Sequence, residues 1–199
     1  MKIILLRHGQ PVLPAMNKLS ADSFHQWVIA YNASGLSNTS LPTEAAIMHA
    51  SDCNAIVCST LQRSVESAQK LAEKKIVLSH EIFNEAGLPV ARWKKFKTSP
   101  KIWAVFFRIL WLLGYSHRSE SYKEVKLRAS QAADQLTELA YKQHKILFVG
   151  HGVYNRLLAK ELKRKGWHGP GNPGSKHWSS AVYTKSETAR THPETLTGR

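Results

Sequence analysis

Two histidines occur in closely similar settings in distant parts of the sequence. His8 lies in Ile-Ile-Leu-Leu-Arg-His-Gly, and His151 lies in Ile-Leu-Phe-Val-Gly-His-Gly. Each continuous apolar run is typical of a buried parallel strand, and each histidine stands where that run meets a glycine. In open α/β sheets the ligand crevice forms beyond the carboxyl ends of such strands, and glycine lets the backbone approach a bound group. We therefore expect both imidazoles in one crevice, and Arg7 beside His8 indicates that the ligand is an anion.

Further polar residues follow other predicted strands. Together they supply the residue types that a site for binding and cleaving a phosphate monoester requires. Such a site requires guanidinium groups for the phosphoryl oxygens, a nucleophile in line with the leaving oxygen, and an acid that protonates that oxygen. Ser59 and Arg63 follow the second predicted strand, and Glu85 lies beyond the third. Glu81, four residues earlier, is an alternative candidate for the acid. Segments that follow four different strands are thus expected to converge on one crevice.

The rest of the sequence predicts the elements that would hold these residues in place. Apolar runs predict strands over 2–6, 55–58, 76–78, 145–149 and 181–184. Apolar residues at helical spacing predict helices around 24–31, after Thr43, over 60–74 and over 121–143. Strands that alternate with helices predict an α/β fold with three layers, in which helices cover both faces of a mostly parallel central sheet.

The length and composition fit one domain with a substantial core, because the chain has 199 residues and is 43% hydrophobic. The segments 9–42 and 86–120 are predicted to be insertions that could act as lids over the site. The polar stretch 185–199 has no periodicity, which predicts a disordered tail.

The chain is strongly basic, with 28 Lys and Arg against 14 Asp and Glu and a formal net charge of +14. Such a field attracts phosphate esters, nucleic acids and anionic membranes alike. The sequence has no RNA-binding signature and no Walker A motif, so we expect a small phosphorylated substrate and no nucleic-acid partner. Cys53 and Cys58 cannot form a disulfide framework and are expected to be reduced. The apolar start is too short for a signal peptide, so we expect a cytoplasmic protein.

The segment 102–113 is unusual because, as a helix, it is apolar on every side except at Arg108. Lysines at 94, 95, 97 and 101 precede it. It is too short to span a bilayer. Burial within the domain, a lid, a homodimer surface and peripheral contact with anionic lipid are all compatible with this pattern.

The polar residues described above resemble, in their order and contexts, the motifs of the histidine phosphatase superfamily, the phosphoglycerate-mutase-like fold. Residues 7–9 are similar to the family's opening R-H-G, residues 59–63 to its S-x-x-x-R segment, and residues 150–152 to its late H-G. Glu85, in Asn-Glu-Ala-Gly, occupies the place of the family's acid, and residues 120–121 resemble the E-S that opens its penultimate long helix. A lone R-H-G would be weak evidence, whereas all of these motifs in the right order are specific.

The resemblance covers residues 1–184, which we predict to be one catalytic domain, and it implies a two-step phosphoryl transfer. His8, as a neutral imidazole, would attack phosphorus and carry the phosphoryl group as phosphohistidine. Glu85 would give its proton to the leaving oxygen and then take one from the attacking water. The candidates for binding the phosphoryl oxygens are Arg7, Ser59, Arg63, His151 and Gly152. The resemblance implies no metal and no cofactor.

Two other functions fit parts of the pattern. Mutases of this superfamily usually continue the opening motif with a hydroxyl residue and a nearby asparagine, whereas residues 10–14 read Gln-Pro-Val-Leu-Pro. Hydrolysis is therefore expected rather than isomerisation, and a phosphomutase is the second hypothesis. The third is a non-catalytic module that binds anions or nucleic acid through its positive charge.

Overall fold

The strands and helices follow one another in the alternating order that the sequence predicts. A computed structural model describes residues 1–15, 17–72 and 76–186. Its strands are β1 (Lys2–Arg7), β2 (Leu19–Ser20), β3 (Ala55–Cys58), β4 (Ile76–Ser79), β5 (Lys97–Thr98), β6 (Lys145–Gly150) and β7 (Ser180–Thr184). Its helices are α1 (Ala21–Ala33), α2 (Glu44–Asp52), α3 (Gln62–Ala72), α4 (Pro100–Leu112), α5 (Tyr122–Gln143) and α6 (Gly152–Arg164), with a 3-10 turn at Glu81–Phe83. Of the predicted tail, 185–199, residues 187–199 lie outside the described residues.

Five of these strands form the central sheet, in the order β4-β3-β6-β1-β7. The first four are parallel to one another, and β7 pairs antiparallel with β1 at the edge. The predicted mostly parallel sheet is confirmed. β1 and β6 pair in a register that sets Arg7 opposite Gly150. The residues that follow these two strands therefore leave the sheet side by side.

Helices cover both faces of the sheet, as predicted. Successive residues of a strand point to opposite faces, so β1 divides its apolar side chains between two cores. Ile3 and Leu5 belong to the core that includes α5 and α6. Ile4 and Leu6 belong to the core that includes α2 and α3. The three-layer α/β fold is thus confirmed.

Local sequence determines where several helices begin. Ser20, Thr43, Ser99 and Ser121 each accept a hydrogen bond from a backbone N–H in the first turn of α1, α2, α4 and α5, respectively. At α5 the cap is reciprocal, because the Glu124 side chain accepts from the backbone N–H of Ser121.

The two predicted insertions pack against each other and form a unit that we call the cap. β2, in segment 9–42, pairs antiparallel with β5, in segment 86–120, and α1 packs against α4. Their contact forms a third apolar cluster, made of Ala21, Phe24, Ala91, Trp103 and Phe107. The cap therefore has its own small core.

α4 is buried on one side only. Trp103, Phe107 and Trp111 are buried, whereas the opposite side of the helix is exposed. Complete burial of segment 102–113 within the domain is therefore wrong. No helix among the described residues is long and apolar enough to cross a bilayer.

The sequence prediction omits one helix, α6, which begins directly after His151. Its Leu158 and Leu162 are fully buried at helical spacing, and this signal is present in the sequence. α3 begins at Gln62 rather than at residue 60. Cys53 and Cys58 are both buried, and neither forms a disulfide.

Candidate active site

His8 and His151 lie together at the carboxyl ends of β1 and β6. The backbone N–H of His8 donates to the carbonyl of Gly150 (2.9 Å), which continues the pairing of the two strands. The centroids of the two imidazole rings are 5.0 Å apart. Both side chains are buried, with 2% and 0% of their residue surface exposed. The structure thus brings the two predicted histidines into one site.

The protonation of His8 follows from one hydrogen bond. Its Nδ1 lies 2.6 Å from the carbonyl oxygen of Gly9. Because a carbonyl oxygen can only accept, Nδ1 carries the ring proton and Nε2 keeps a lone pair. Burial, together with the nearby guanidinium groups of Arg63 and Arg7, holds the pKa of His8 well below its ordinary value. The ring is therefore neutral at pH 7, with Nε2 available as a nucleophile.

His151 is oriented by Ser59. The Oγ atom of Ser59 lies 2.7 Å from Nε2 of His151 and also accepts from the N–H of Leu61 (3.3 Å). The serine hydroxyl can then donate to Nε2, which places the proton of the neutral ring on Nδ1. Burial, with His8 and Arg63 nearby, holds the pKa of His151 well below its ordinary value.

Two guanidinium groups flank the imidazoles. Arg7 donates from Nη1 to the carbonyl of Ser175. Arg63 is 1% exposed and donates to the carbonyl of Tyr31 (3.3 Å) and the side-chain oxygen of Asn32 (3.4 Å). Its guanidinium also lies 4.7 Å from the centroid of the Tyr31 ring. Tyr31 and Asn32 belong to α1, so the cap positions Arg63.

Three buried polar side-chain atoms of the described residues have no hydrogen-bond partner, and all three lie on predicted phosphate-binding residues. They are Nε of Arg7, Nε of Arg63 and Nδ1 of His151. A buried donor left unpaired costs about 1–3 kcal/mol, and folded proteins pair nearly all of them. Gly152 borders the same place, since a Cβ on it would lie 3.5 Å from Cζ of Arg7. A tetrahedral oxyanion would accept from donors arranged in this way.

Glu85 reaches the site from the loop after the 3-10 turn. Its Oε1 accepts from the N–H groups of Ala86 and Tyr154 (2.9 Å each), and its Oε2 accepts from that of Val153 (3.1 Å). Val153 and Tyr154 lie in the first turn of α6, whose cap residue His151 makes no side-chain capping bond. Glu85 therefore caps α6 from a distant part of the chain, at the helix end where a carboxylate is favoured.

The segment that carries Glu85 is held in place by Arg128 of α5. The guanidinium of Arg128 donates to the carbonyls of Ile82 and Asn84 (2.8 Å each). It also forms a bidentate pair with the carboxylate of Glu120 (2.9 and 2.7 Å). Arg128 thus fixes the backbone directly before Glu85.

Glu81 is placed differently from Glu85. It lies exposed in the 3-10 turn. Both carboxylates border a cavity of about 520 Å³, but Glu85 is the one that contacts the helix beginning after His151. The geometry therefore favours Glu85 over Glu81 as the acid.

A comparison with protein-family models gives the same family as the motifs. Residues 3–186 match the model described as "Histidine phosphatase superfamily (branch 1)". The chain belongs to the histidine phosphatase superfamily. A comparison with curated proteins found no match.

Solved structures share the fold of this histidine phosphatase family member. One is mycobacterial glucosyl-3-phosphoglycerate phosphatase in complex with VO3, with 20% identity, a TM-score of 0.60, and coverage of 91% of this chain and 90% of that one. Another is "Mycobacterial hydrolase 1", with 19% identity, a TM-score of 0.58, and coverage of 92% and 97%. A third is phosphoserine phosphatase from Entamoeba histolytica in complex with 3-phosphoglyceric acid, with 19% identity, a TM-score of 0.51, and coverage of 82% and 80%.

His177 lies beside His8 in the candidate site, and the sequence did not reveal this position. Its ring centroid lies 5.6 Å from that of His8, and burial, with Arg7 nearby, lowers its pKa. The segment that carries it is fixed to β1, because Trp178 donates its N–H to the carbonyl of Arg7 (3.0 Å) and the carbonyl of Ser179 accepts from the N–H of Arg7 (2.9 Å). No local pattern marks His177, since a tertiary contact brings it to the site.

Gly9 and Gly150, each next to one of the two histidines, have a different role from the one expected. A Cβ on Gly9 would clash with the ring of Trp178, and a Cβ on Gly150 would clash with Oδ1 of Asn155. These glycines make room for the protein's own side chains rather than for a ligand. Asn155 is buried and ties α6 to the sheet, because it accepts from the N–H of His151 and donates to the carbonyl of Leu6 (3.1 Å each).

No metal centre is assembled by the part of the chain that the structure describes. Within that part, no group of three or more His, Cys, Asp or Glu residues is placed to hold an ion. The expectation that the reaction uses neither metal nor cofactor stays a prediction.

Proposed function

We propose that the protein is a phosphomonoesterase that hydrolyses a small phosphorylated substrate through a phosphohistidine on His8. The observation that carries this proposal is the set of unpaired donors on Arg7, Arg63 and His151 around a neutral imidazole. A transferred phosphoryl group has three oxygens that accept from such donors, and these bonds strengthen as charge develops. Membership of the superfamily and the phosphatase names of two fold neighbours support the same reaction.

The first step forms the phosphoenzyme. Nε2 of His8 attacks phosphorus, so an N–P bond forms and the P–O bond to the leaving group breaks. The carbonyl of Gly9 keeps the proton on Nδ1 and stabilises the positive charge that the ring gains. The guanidinium groups of Arg7 and Arg63 neutralise the charge on the phosphoryl oxygens, and Nδ1–H of neutral His151 donates a hydrogen bond to one of them.

Glu85 moves the protons in both steps. It gives a proton to the departing alkoxide, and it takes one back from the water that attacks the phosphohistidine. The N–P bond then breaks, which releases phosphate and restores neutral His8. The contacts of Glu85 allow this, because Oε2 accepts one N–H bond among the described contacts and keeps a lone pair for a proton. These steps use side chains, the backbone carbonyl of Gly9 and one water molecule, and they require no metal.

Substrate must enter a site that is closed in the structure. His8, Arg63 and His151 are each at most 2% exposed. Arg63 lies against α1 of the cap, and Arg7 donates to Ser175 in the segment before β7. We therefore assign the predicted lid role to segments 9–42 and 86–120, which together form the cap.

A phosphate-release screen tests the proposal. It would compare an aryl phosphate with sugar phosphates, nucleotides and phosphopeptides, using the wild type, His8→Ala and His117→Ala, a control at an exposed histidine. We expect release by the wild type and the control and none above background by His8→Ala. Interconversion of phosphoglycerates without net phosphate release, or salt-sensitive binding of nucleic acid without turnover, would contradict the proposal and support a mutase or a binding module instead.

A further inference from the structure

We propose that the protein docks on the surface of an anionic lipid bilayer through the exposed side of α4. That side carries apolar residues whose exposure ranges from 37% to 79%, namely Ile102, Val105, Phe106, Ile109, Leu112 and Leu113. At the helical spacing of 100° per residue they fall within an arc of about 120°. They form a continuous stripe about 16 Å long. We call this stripe the α4 face.

Aromatic side chains widen the α4 face. Trp93 is 49% exposed and Phe96 is 63% exposed. The Trp93 ring lies 5.9 Å from that of Phe106, and the Phe96 ring lies 5.7 Å from that of Trp103, between ring centroids. Contiguous apolar surface of this kind usually marks a binding surface, whereas single exposed apolar residues do not.

The charge around the α4 face favours an anionic partner. Segment 86–118 contains seven Lys and Arg residues and no Asp or Glu. Lys94, Lys95, Lys97 and Lys101 are all exposed next to the start of α4. Helices that lie in a membrane interface combine an apolar side, aromatic residues and flanking lysines, and anionic headgroups attract each of those lysines.

A second copy of the chain matches the α4 face less well. In a symmetric dimer the same patch of both copies would meet, so these basic side chains would face one another. The segment has no acidic side chain to pair with them, and like charges across an interface are unfavourable. Charge complementarity therefore favours the bilayer. The proposal does not depend on the proposed chemistry, so His8→Ala should bind vesicles as the wild type does.

Flotation of the full chain with vesicles tests the apolar part of the proposal. We expect binding to phosphatidylcholine vesicles that contain phosphatidylglycerol and little binding to phosphatidylcholine alone. The triple variant Val105→Gln, Ile109→Gln, Leu112→Gln should bind at least about tenfold more weakly, since burial of even one such side chain contributes a factor of that order. The matched control changes exposed apolar residues outside the cap, Ile47→Gln, Met48→Gln and Leu127→Gln, and should bind as the wild type does.

Lysine variants test the charge part of the proposal. Lys94→Gln, Lys95→Gln and Lys97→Gln together should also weaken binding to the anionic vesicles at least about tenfold. Lys123→Gln, Lys160→Gln and Lys163→Gln remove the same net charge from exposed positions on α5 and α6 and should have a much smaller effect. The difference in vesicle binding between the two variants separates the attraction by the lysines next to α4 from the attraction by the net charge of the whole protein.

A spectroscopic readout covers the case in which the apolar variant does not fold. Anionic vesicles should shift the tryptophan emission of the wild type to the blue, and Trp93→Phe should remove most of this shift, because Trp93 is the half-exposed tryptophan beside the stripe. The proposal is overturned if the wild type does not bind anionic vesicles, or if the control variants lose as much binding as the test variants. It is also overturned if the wild type is a dimer that the α4 variant converts to a monomer.

Discussion

Replacement of Glu85 separates its two roles, as the residue that caps the N-terminus of α6 and as the proposed acid. In Glu85→Gln one carboxylate oxygen becomes an NH₂ group that faces a backbone N–H, so a bond to Val153 or Tyr154 is lost. The negative charge at the helix N-terminus is also lost. Together these changes should lower the free energy of unfolding by about 1–2 kcal/mol. For a chain of this length the melting temperature should fall by a few degrees, about 2–4 °C per kcal/mol.

The kinetic effect of Glu85→Gln should depend on the leaving group. A general acid contributes a factor of about 10²–10⁴ when the leaving oxygen needs a proton. We therefore expect kcat/KM for an alkyl phosphate to fall by that factor, whereas kcat/KM for p-nitrophenyl phosphate falls less than about tenfold, because nitrophenolate leaves without a proton. The assay measures kcat/KM, which reports the steps up to the phosphoenzyme. Glu81→Gln is the matched control and should leave both substrates nearly unaffected.

Two results would refute this reasoning about Glu85. An equal loss on both substrates would mean that Glu85→Gln only disturbs the fold around α6. A selective loss in Glu81→Gln would mean that the acid is the other carboxylate of the same loop.

Three further predictions concern the buried groups around the histidines. Burial places the pKa of both His8 and His151 below the unfolded value of about 6.5. Below pH 6.5 the unfolded state therefore binds more protons than the folded state. As the pH decreases further, the free energy of unfolding should fall by about 1.4 kcal/mol per pH unit for each ring. Denaturant titrations would measure this, and His8→Gln should remove about half of the dependence; stability that does not change with pH would contradict it. Inorganic phosphate at about 100 times its Kd should stabilise the wild type by about 2.7 kcal/mol in thermal melts, and Arg63→Met should remove most of this gain at the same concentration. Ser59→Ala leaves Nε2 of His151 unpaired and should lower the free energy of unfolding by about 1–3 kcal/mol, measured by denaturant titration; an unchanged value would show that the hydroxyl does not orient His151.

The sequence predicts the part of the site that depends on strand ends. His8 and His151 follow apolar runs, and β1 and β6 pair in parallel, so the two rings meet wherever such strands are neighbours. Arg7 and Ser59 are positioned in the same way, because Arg7 is the last residue of β1 and Ser59 directly follows β3. This information is local, since it lies in the periodicity of short segments.

The remaining features depend on the three-dimensional course of the backbone, in most cases on contacts between distant segments, which a single sequence does not encode locally. The side on which α4 is buried depends on its contact with α1, and an apolar pattern all around a helix does not indicate that side. Glu85 is visible as a carboxylate, but its partners in α6 are not. The proton on Nδ1 of His8 follows from the carbonyl of Gly9, whose direction is known only from the backbone fold.

The attachment site of phosphate on the trapped enzyme tests the central claim most directly. Rapid quenching with a labelled aryl phosphate, followed by digestion, mass spectrometry and NMR of the phosphopeptide, would identify both the residue and the ring atom. The account predicts phosphate on Nε2 of His8, because Gly9 holds the proton on Nδ1, and no labelled peptide from His8→Ala. Phosphate on Nδ1, on another residue, or retained in His8→Ala would contradict it.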